Sequence, residues 1–275
     1  MFKKKESAEI LDQLIKAIIL GVVQGLTEWL PISSTGHLRL LEIFLELEVP
    51  VLFDVILHAG TLMVILVFFR KEISNILSAL SRLDFKTEYG KMVPLIIVGV
   101  IPTIVIGLIF GWSIESTFKN VSAIGAAFLL CGTLLYSSKF GKEKTNGIGY
   151  STAIIMGVAQ GIAIIPGISR SGATITVALL LGIKREKAFE FSFLLSIPAI
   201  LGALGFTAYE EFGELASSSL EWSEILVATI IAMLVGYFAL KLLWKVVARE
   251  KFHFFAFYCW LLGIALILLK HVSAT

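Results

Sequence analysis

Two short polar segments stand inside long apolar stretches and contain the residues whose chemistry is most distinctive. The first segment contributes a carboxylate, an amide, hydroxyls and an imidazole, and the second contributes hydroxyls and a guanidinium. The candidate site residues are Gln24, Glu28, Ser33, Ser34, Thr35, His37, Ser169, Arg170, Ser171 and Thr174. A guanidinium matches phosphate oxygens, and an imidazole exchanges a proton near neutral pH. A helix that begins after each segment adds backbone N–H groups that favour an anion. These groups could hold a phosphorylated compound and cleave a phosphoanhydride.

Structural roles compete with these catalytic ones. Hydroxyls in membrane helices often hydrogen-bond to neighbouring helices, which applies here to Thr27, Thr35 and Ser171. His58 is interpreted as an interior residue with satisfied hydrogen bonds, and Asp54 and Glu190 as braces for neighbouring loops. An unpaired charge at membrane depth is costly. Glu28 and Arg170 are therefore expected either to serve the site or to pair with each other, and both alternatives bring the two polar segments together.

The composition is that of a polytopic membrane protein. Of 275 residues 57% are hydrophobic and 16% charged, and the mean hydropathy is +0.90. A soluble domain contains about 45–50% apolar and about 25% charged residues. A net charge of +2 without a basic tract excludes nucleic acid as a partner. Cys131 and Cys259 each lie in an apolar run and are interpreted as small hydrophobic residues.

The fold predicted is all-α, with six transmembrane helices and two re-entrant helical hairpins. A span needs roughly 17–25 mostly apolar residues. Six stretches qualify, at Leu52–Phe69, Val93–Trp112, Val121–Tyr136, Ala188–Tyr209, Ile225–Leu243 and Phe252–Leu269. The stretches Leu14–Leu45 and Tyr150–Ile183 are too long for one span and are interrupted by the polar segments. Irregular backbone at membrane depth must be buried or reached by water, so each is predicted to fold back as a hairpin.

Two similar halves make up this single membrane domain of residues 1–275. At an offset of 136 residues Gly21 aligns with Gly157, and Ser33 with Ser169. The predicted repeats cover about residues 12–138 and 148–272, each with one hairpin and three spans. Three spans per repeat would invert the second repeat in the membrane, an arrangement typical of proteins that bind polar solutes near the midplane. Taken alone, this favours a transporter or flippase for a phosphorylated lipid or anion as the alternative to an enzyme.

Loop charges predict the orientation. Most Lys and Arg residues lie in the segments 70–91, 139–144, 184–187 and 241–251, which are therefore expected to be cytoplasmic loops. Acidic segments around residues 42–48 and 210–224 are expected on the opposite side.

The two motifs resemble the signature segments of the undecaprenyl-diphosphate phosphatases of the bacitracin-resistance type. The matching segments are Gly25–His37, Phe53–Asp54, Pro166–Thr174 and Phe189–Phe193. The resemblance implies hydrolysis of a polyprenyl diphosphate to the monophosphate and phosphate, which recycles a lipid carrier for cell-envelope glycans such as peptidoglycan and gives bacitracin tolerance. It implies the inverted-repeat fold, a plasma-membrane location with the active site open to the outside, and a divalent metal, Mg²⁺ or Ca²⁺. The expected partners are the lipid substrate and membrane lipids, with a homodimer left open.

Site roles follow from the resemblance position by position. Glu28 would bind the metal or polarise the site, Arg170 would clamp phosphate, and His37 would be the acid and base. Ser34 would attack phosphorus with help from His37, or His37 would activate a water instead. The residues expected to bind substrate are Gln24, Ser33, Thr35, Ser169, Ser171 and Thr174. Many family members have a second carboxylate where this chain has Gln24, which leaves Glu28 as the main anionic ligand.

Overall fold

A computed structural model of the chain describes residues 2–44, 51–117, 120–145, 147–210 and 222–273. These residues form eleven α-helices and two short 3-10 turns. The helices are α1 (Phe2–Trp29), α2 (Ser34–Phe44), α3 (Val51–Phe68), α4 (Arg70–Ser81), α5 (Glu88–Thr117), α6 (Val121–Ser137), α7 (Tyr150–Ile162), α8 (Arg170–Leu180), α9 (Arg185–Glu210), α10 (Trp222–Ala248) and α11 (Phe255–Ser273). The all-α prediction is confirmed.

The helices long and apolar enough to cross a membrane agree with the predicted spans. Within the described residues five segments qualify singly, at Glu88–Gly111, Val121–Phe140, Arg185–Tyr209, Ser223–Ala248 and Phe252–Leu269. The predicted span Leu52–Phe69 corresponds to α3, which passes the same test only together with α4 and is bent from it by 81°. The protein is therefore a multi-pass membrane protein, and its described residues contain five such helices, or six when the bent pair is counted as one span.

Both predicted hairpins are present as broken helices. α1 ends at Trp29, just before Pro31, and α2 begins at Ser34 after Ser33 takes a left-handed backbone angle (φ 67°). α7 ends at Ile162, and α8 begins at Arg170. Between them Gly167 has φ 103°, a conformation that a residue with a Cβ rarely adopts. The two polar segments thus form the two connecting loops, called here loop 1 (residues 30–33) and loop 2 (residues 163–169).

Glycines let the first helix of each hairpin approach a distant helix closely. A Cβ on Gly21 of α1 would collide with the backbone of Ala228 in α10. A Cβ on Gly157 of α7 would collide with the backbone of Gly99 in α5. Small residues at such contacts allow backbones to pack without bulky side chains between them. These two contacts, at positions related by the 136-residue offset, hold α1 against α10 and α7 against α5.

The helix pair α6 and α11 packs behind both loops. Cys131 of α6 and Cys259 of α11 are fully buried free thiols, as the sequence indicated. The amide of Ser169 in loop 2 contacts the Cys131 sulfur at 3.4 Å, and the Cys259 thiol lies 3.9 Å from the carbonyl oxygen of Pro31 in loop 1. α6 and α11 therefore support the loops from one side.

The predicted loops are wrong at three places, since residues 185–187 belong to α9, residues 241–248 belong to α10, and most of residues 70–91 are helical. Residues 70–91 were expected to form a cytoplasmic loop, but Arg70–Ser81 form helix α4 and Glu88 begins α5. The density of Lys and Arg in this segment indicates a side of the membrane and carries no information on secondary structure. Its apolar residues recur at helical spacing, with Ala79 buried and Leu77 and Leu80 exposed. The acidic segments predicted opposite fall partly on residues 45–50 and 211–221, which lie outside the described residues.

Candidate active site

Glu28 lies at the centre of the site, where loop 1 and loop 2 meet. Its side chain is only 4% exposed. Oε1 accepts a hydrogen bond from Nη2 of Arg170 at 2.5 Å, and Oε2 accepts one from the Ser34 hydroxyl at 2.6 Å. Gln24, four residues earlier on α1, donates from Nε2 to the same Oε2 at 3.2 Å. The cluster thus contains one buried carboxylate, one guanidinium, one hydroxyl and one amide.

Arg170 is held from two directions. Its guanidinium pairs with Glu28 and lies 6.0 Å from the centre of the Trp29 ring, within cation–π range. Trp29 is itself fully buried and packs edge-on against Phe193 of α9. The Arg170 side chain remains 23% exposed, so part of the guanidinium can still be reached from outside.

Hydrogen bonds also join the two loops directly. The Ser33 hydroxyl accepts the amide of Gly167 at 3.0 Å and that of Gly36 at 3.3 Å. In the reverse direction the Ser171 hydroxyl donates to the carbonyl oxygen of Trp29 at 3.1 Å. Together with the Glu28–Arg170 pair, these bonds fix the position of one loop relative to the other.

The predicted hydroxyls of the second hairpin are engaged with the protein itself. The Ser169 hydroxyl caps α8 by accepting the amide of Gly172 at 3.1 Å, and it lies 3.2 Å from the Ser171 hydroxyl. Thr174 is fully buried and donates to the carbonyl oxygen of Arg170, while its hydroxyl also contacts Ser192. Ser169, Ser171 and Thr174 thus order the start of α8, and their predicted contact with substrate stays a prediction.

His37 does not hydrogen-bond to Ser34. Its Nδ1 lies 2.8 Å from the carbonyl oxygen of Ser33, and its Nε2 lies 2.7 Å from the hydroxyl of Tyr258 on α11. Since a carbonyl oxygen can only accept, Nδ1 carries the proton and Nε2 accepts the phenol proton. The hydroxyl of Ser34 is directed to Glu28 instead, so the carboxylate is the nearest proton acceptor for Ser34 in this structure.

His58 is the site residue whose position the sequence did not reveal. It was interpreted as an interior histidine, but its Nε2 lies 3.6 Å from Oε2 of Glu28. Its Nδ1 is 2.8 Å from the backbone carbonyl oxygen of Asp54, one turn earlier on α3. The contact with Glu28 depends on how α3 packs against α1, and no spacing in the sequence reports that.

Two other candidates lie outside this cluster. Glu190 accepts a hydrogen bond from Lys187 at 3.0 Å, and Lys187 also binds Glu88 at 2.8 Å. Glu190 therefore holds Lys187 within α9, and Lys187 joins the start of α9 to the start of α5. Thr35 is exposed at the first turn of α2.

The donor set fits a divalent metal only in a limited way. Within the part of the chain that the structure describes, no group of three or more His, Cys, Asp or Glu side chains is placed to hold a metal ion. The oxygen Oε1 of Gln24 is nevertheless buried without a hydrogen-bond partner, next to the Glu28 carboxylate. Mg²⁺ usually keeps several waters and binds one or two protein oxygens together with substrate phosphates. Gln24 and Glu28 fit that kind of site.

The fold and the site define a multi-pass helical membrane protein with a charged site formed by two broken helices. Sequence comparison identifies the family of the protein. The chain belongs to the family described as bacitracin resistance protein BacA, whose profile matches residues 17–265.

Proteins named undecaprenyl-diphosphatase are similar to this chain over almost its whole length. The protein from Halothermothrix orenii is 42% identical, with 94% of this chain and 99% of the relative covered. The protein from Desulforapulum autotrophicum is 40% identical over 95% of this chain and 100% of the relative. The protein from Korarchaeum cryptofilum is 41% identical over 93% of this chain and 98% of the relative.

Proposed function

We infer that this membrane protein is an undecaprenyl-diphosphatase, which hydrolyses undecaprenyl diphosphate to the monophosphate and phosphate. Its relatives carry that name, and its family is one of bacitracin resistance. The observation that supports the inference is the contact of Glu28 with Ser34 and Arg170, which would serve as proton acceptor, nucleophile and phosphate-binding cation. The activity recycles the lipid carrier for cell-wall synthesis and gives tolerance to bacitracin. Nothing in the structure or the comparisons favours the transporter alternative.

Arg170 would bind the terminal phosphate. One guanidinium nitrogen, Nη2, contacts Glu28, and the planar fork has further N–H groups for phosphate oxygens. Phosphoryl transfer depends mainly on positioning and on stabilising the charge of the transferring group. Because Glu28 and Trp29 fix the guanidinium before substrate binds, little reorganisation is needed when that charge develops.

The attacking group is either Ser34 or a water. If Ser34 attacks, its Oγ forms a bond to the terminal phosphorus and the bond from phosphorus to the bridging oxygen breaks. The Ser34 proton would pass to Glu28, whose Oε2 already accepts it at 2.6 Å. A water would then release phosphate from Ser34. In the other route a water attacks directly and His37 takes up its proton. Rapid quenching separates the two: a phosphoserine at Ser34 establishes the first, and an active Ser34→Ala variant without phosphoenzyme establishes the second.

A divalent ion would be held by Glu28 and Gln24, with water and the diphosphate completing its coordination. Mg²⁺ fits this small protein contribution, and Ca²⁺, which takes 6–8 oxygen ligands, is the alternative. When bound, the ion supplies positive charge next to the diphosphate. The neutral Gln24 contributes an oxygen but no charge, so binding in the absence of substrate should be weak.

The membrane orientation, the arrangement of the two repeats and the oligomeric state are also part of this proposal. The basic segments on α4 and around 139–144, 184–187 and 241–251 would face the cytoplasm, and the site would open to the outer face of the plasma membrane. The isoprenoid tail would lie among the apolar helices. The two repeats, residues 12–138 and 148–272, would be inserted in opposite directions, which agrees with the glycine contacts at equivalent positions of α1 and α7. A homodimer is the assembly to be tested, by mass in detergent.

Phosphate release from undecaprenyl diphosphate by the purified protein in detergent tests the function. We expect release with Mg²⁺ or Ca²⁺ and loss of release with an excess of chelator. Arg170→Lys keeps the charge but removes the planar fork, so we expect a large fall in kcat/KM for this variant. No release from the wild type under any condition, with lipid demonstrably bound, would refute the function. Phosphate release in the presence of the chelator would refute the metal requirement but not the phosphatase activity.

A further inference from the structure

Tyr258 covers the reactive nitrogen of His37. Its hydroxyl lies 2.7 Å from Nε2, and the two rings are nearly parallel, with an angle of 13° and a centroid distance of 5.7 Å. Phe128 packs edge-on against the imidazole with a centroid distance of 5.3 Å. His37 thus has both nitrogens engaged, and any proton that it accepts at Nε2 must come from the phenol or follow its displacement.

The position of Tyr258 is fixed by α11. Its neighbour Cys259 is fully buried and approaches the carbonyl oxygen of Pro31 in loop 1. Tyr258 itself is 42% exposed, so part of its ring lies at the protein surface while its hydroxyl contacts His37. His37 lies one turn after Ser34 on α2, and residues at this spacing share a helix face. The phenol oxygen is therefore presented next to the part of the site where Ser34 begins α2.

We propose that Tyr258 relays a proton between the attacking water and His37. The proposal rests on the proposed phosphatase function, in which one water must attack phosphorus either directly or at the phosphoserine. The water oxygen forms a bond to phosphorus while one of its protons passes to the phenol oxygen of Tyr258. The original phenol proton passes to Nε2 of His37, which becomes an imidazolium held by the carbonyl oxygen of Ser33. The bond that breaks at phosphorus releases the lipid phosphate or the Ser34 oxygen, and in the second case Glu28 returns its proton to Ser34. The imidazolium returns its proton through Tyr258 to the phosphate that is released.

The contact geometry already matches such a relay. Nδ1 donates to the Ser33 carbonyl, which fixes the tautomer with a free lone pair on Nε2 and stabilises the imidazolium when it forms. The phenol is a single group that can donate to Nε2 and accept from a water at the same time. A histidine acting alone would need its Nε2 open, whereas here the phenol occupies it.

Tyr258→Phe tests the relay because it keeps the ring and its stacking on His37 but removes the hydroxyl. We expect kcat to fall about 10²-fold, the usual contribution of a positioned proton-transfer group. Because the hydroxyl acts in the chemical step and not in binding, KM should stay within about twofold. Tyr136→Phe is the matched control, since Tyr136 lies on α6 in a ring contact with Trp260, and its hydroxyl makes no hydrogen bond to any residue that the structure describes. Its kcat should equal that of the wild type.

A second variant separates proton transfer from simple packing. Incorporation of 3,5-difluorotyrosine at position 258 preserves the shape and the hydroxyl but makes the phenol a stronger acid. If Tyr258 relays the proton, the single-turnover rate changes although the fold and KM do not. This variant also decides the question if Tyr258→Phe fails to fold, as judged by thermal unfolding in detergent.

Three results would overturn the relay. They are a Tyr258→Phe variant with a single-turnover rate within about twofold of the wild type, an equal loss in Tyr136→Phe, and a fluorinated variant with an unchanged rate. A wild-type protein without any turnover would instead refute the phosphatase function itself, so the two failures are distinguishable.

Discussion

The Glu28–Arg170 ion pair permits a quantitative test because both side chains are largely buried. Their side chains are 4% and 23% exposed, and Oε1 and Nη2 are 2.5 Å apart. Removing one partner of a buried pair costs about 3–5 kcal/mol, because the other charge is left uncompensated. Arg170 is partly exposed, so water can reach the vacated space, and we expect Arg170→Met to cost about 3 kcal/mol. For a chain of this size this corresponds to a Tm lower by about 6–12 °C.

A double-mutant cycle separates the pair from its individual members. Glu28→Gln combined with Arg170→Met removes both charges, so the double variant should be more stable than the sum of the single losses by about 2 kcal/mol. Thermal unfolding in detergent measures all four proteins. Arg39→Met is the control, since Arg39 and Glu42 form a more exposed pair with 43% and 16% exposure, and its loss should cost at most about 1 kcal/mol.

Phosphate release gives the second readout of the same four proteins. Both single variants and the double variant should lose most of their activity, because the double variant regains stability without regaining the carboxylate or the guanidinium. Strictly additive Tm changes would refute the reasoning that the pair is one buried unit. An active double variant would refute the roles given to both residues.

Three further predictions concern stability. Ser33→Ala removes the acceptor of the buried amides of Gly36 and Gly167 and should cost about 1–3 kcal/mol in thermal unfolding, and an unchanged Tm would contradict its bridging role. Gly157→Ala should prevent α7 from packing on α5 and abolish monodisperse protein in size-exclusion chromatography, whereas Gly202→Ala, with open space around it, should behave as the wild type. In the loop after α6, the amide and side chain of Arg185 lower the pKa of Glu143 below its ordinary 4.5. The stabilisation is therefore present above pH 4.5 and is lost as the pH falls through the lowered pKa, so Glu143→Gln should show a smaller decrease of Tm on acidification; an identical pH profile would contradict this.

Much of the fold could be predicted because its determinants are local. Proline alone does not mark a loop, since Pro94 and Pro102 lie inside α5 and Pro198 lies inside α9. Loop 1 and loop 2 could be predicted because Pro31 and Pro166 are each followed closely by a short run of polar residues. Apolar runs of sufficient length likewise define spans. Helix α4 could have been predicted from the helical spacing of its apolar residues, whereas its Lys and Arg residues indicate only a side of the membrane. The 81° bend between α3 and α4 has no local sequence signal.

The site was predicted in part, for an energetic reason. An unpaired carboxylate or guanidinium at membrane depth is energetically costly. Contact between Glu28 and Arg170 could therefore be predicted from that cost alone. The partners of uncharged or weakly charged groups do not follow in that way. His37 was expected beside Ser34 but contacts Tyr258, which is 221 residues away in the sequence. The approach of His58 to Glu28 likewise depends on the packing of whole helices.

The bonds between loop 1 and loop 2 have a consequence for biosynthesis. The partners of the Ser33–Gly167 and Glu28–Arg170 contacts are 134 and 142 residues apart, and His37 contacts Tyr258 of α11, which is 221 residues away. A nascent chain that has inserted only its first helices therefore has a buried carboxylate without its cation and a histidine without its phenol. Membrane insertion must be almost complete before the site exists. We therefore expect translation products that end before Arg170 to lack phosphatase activity.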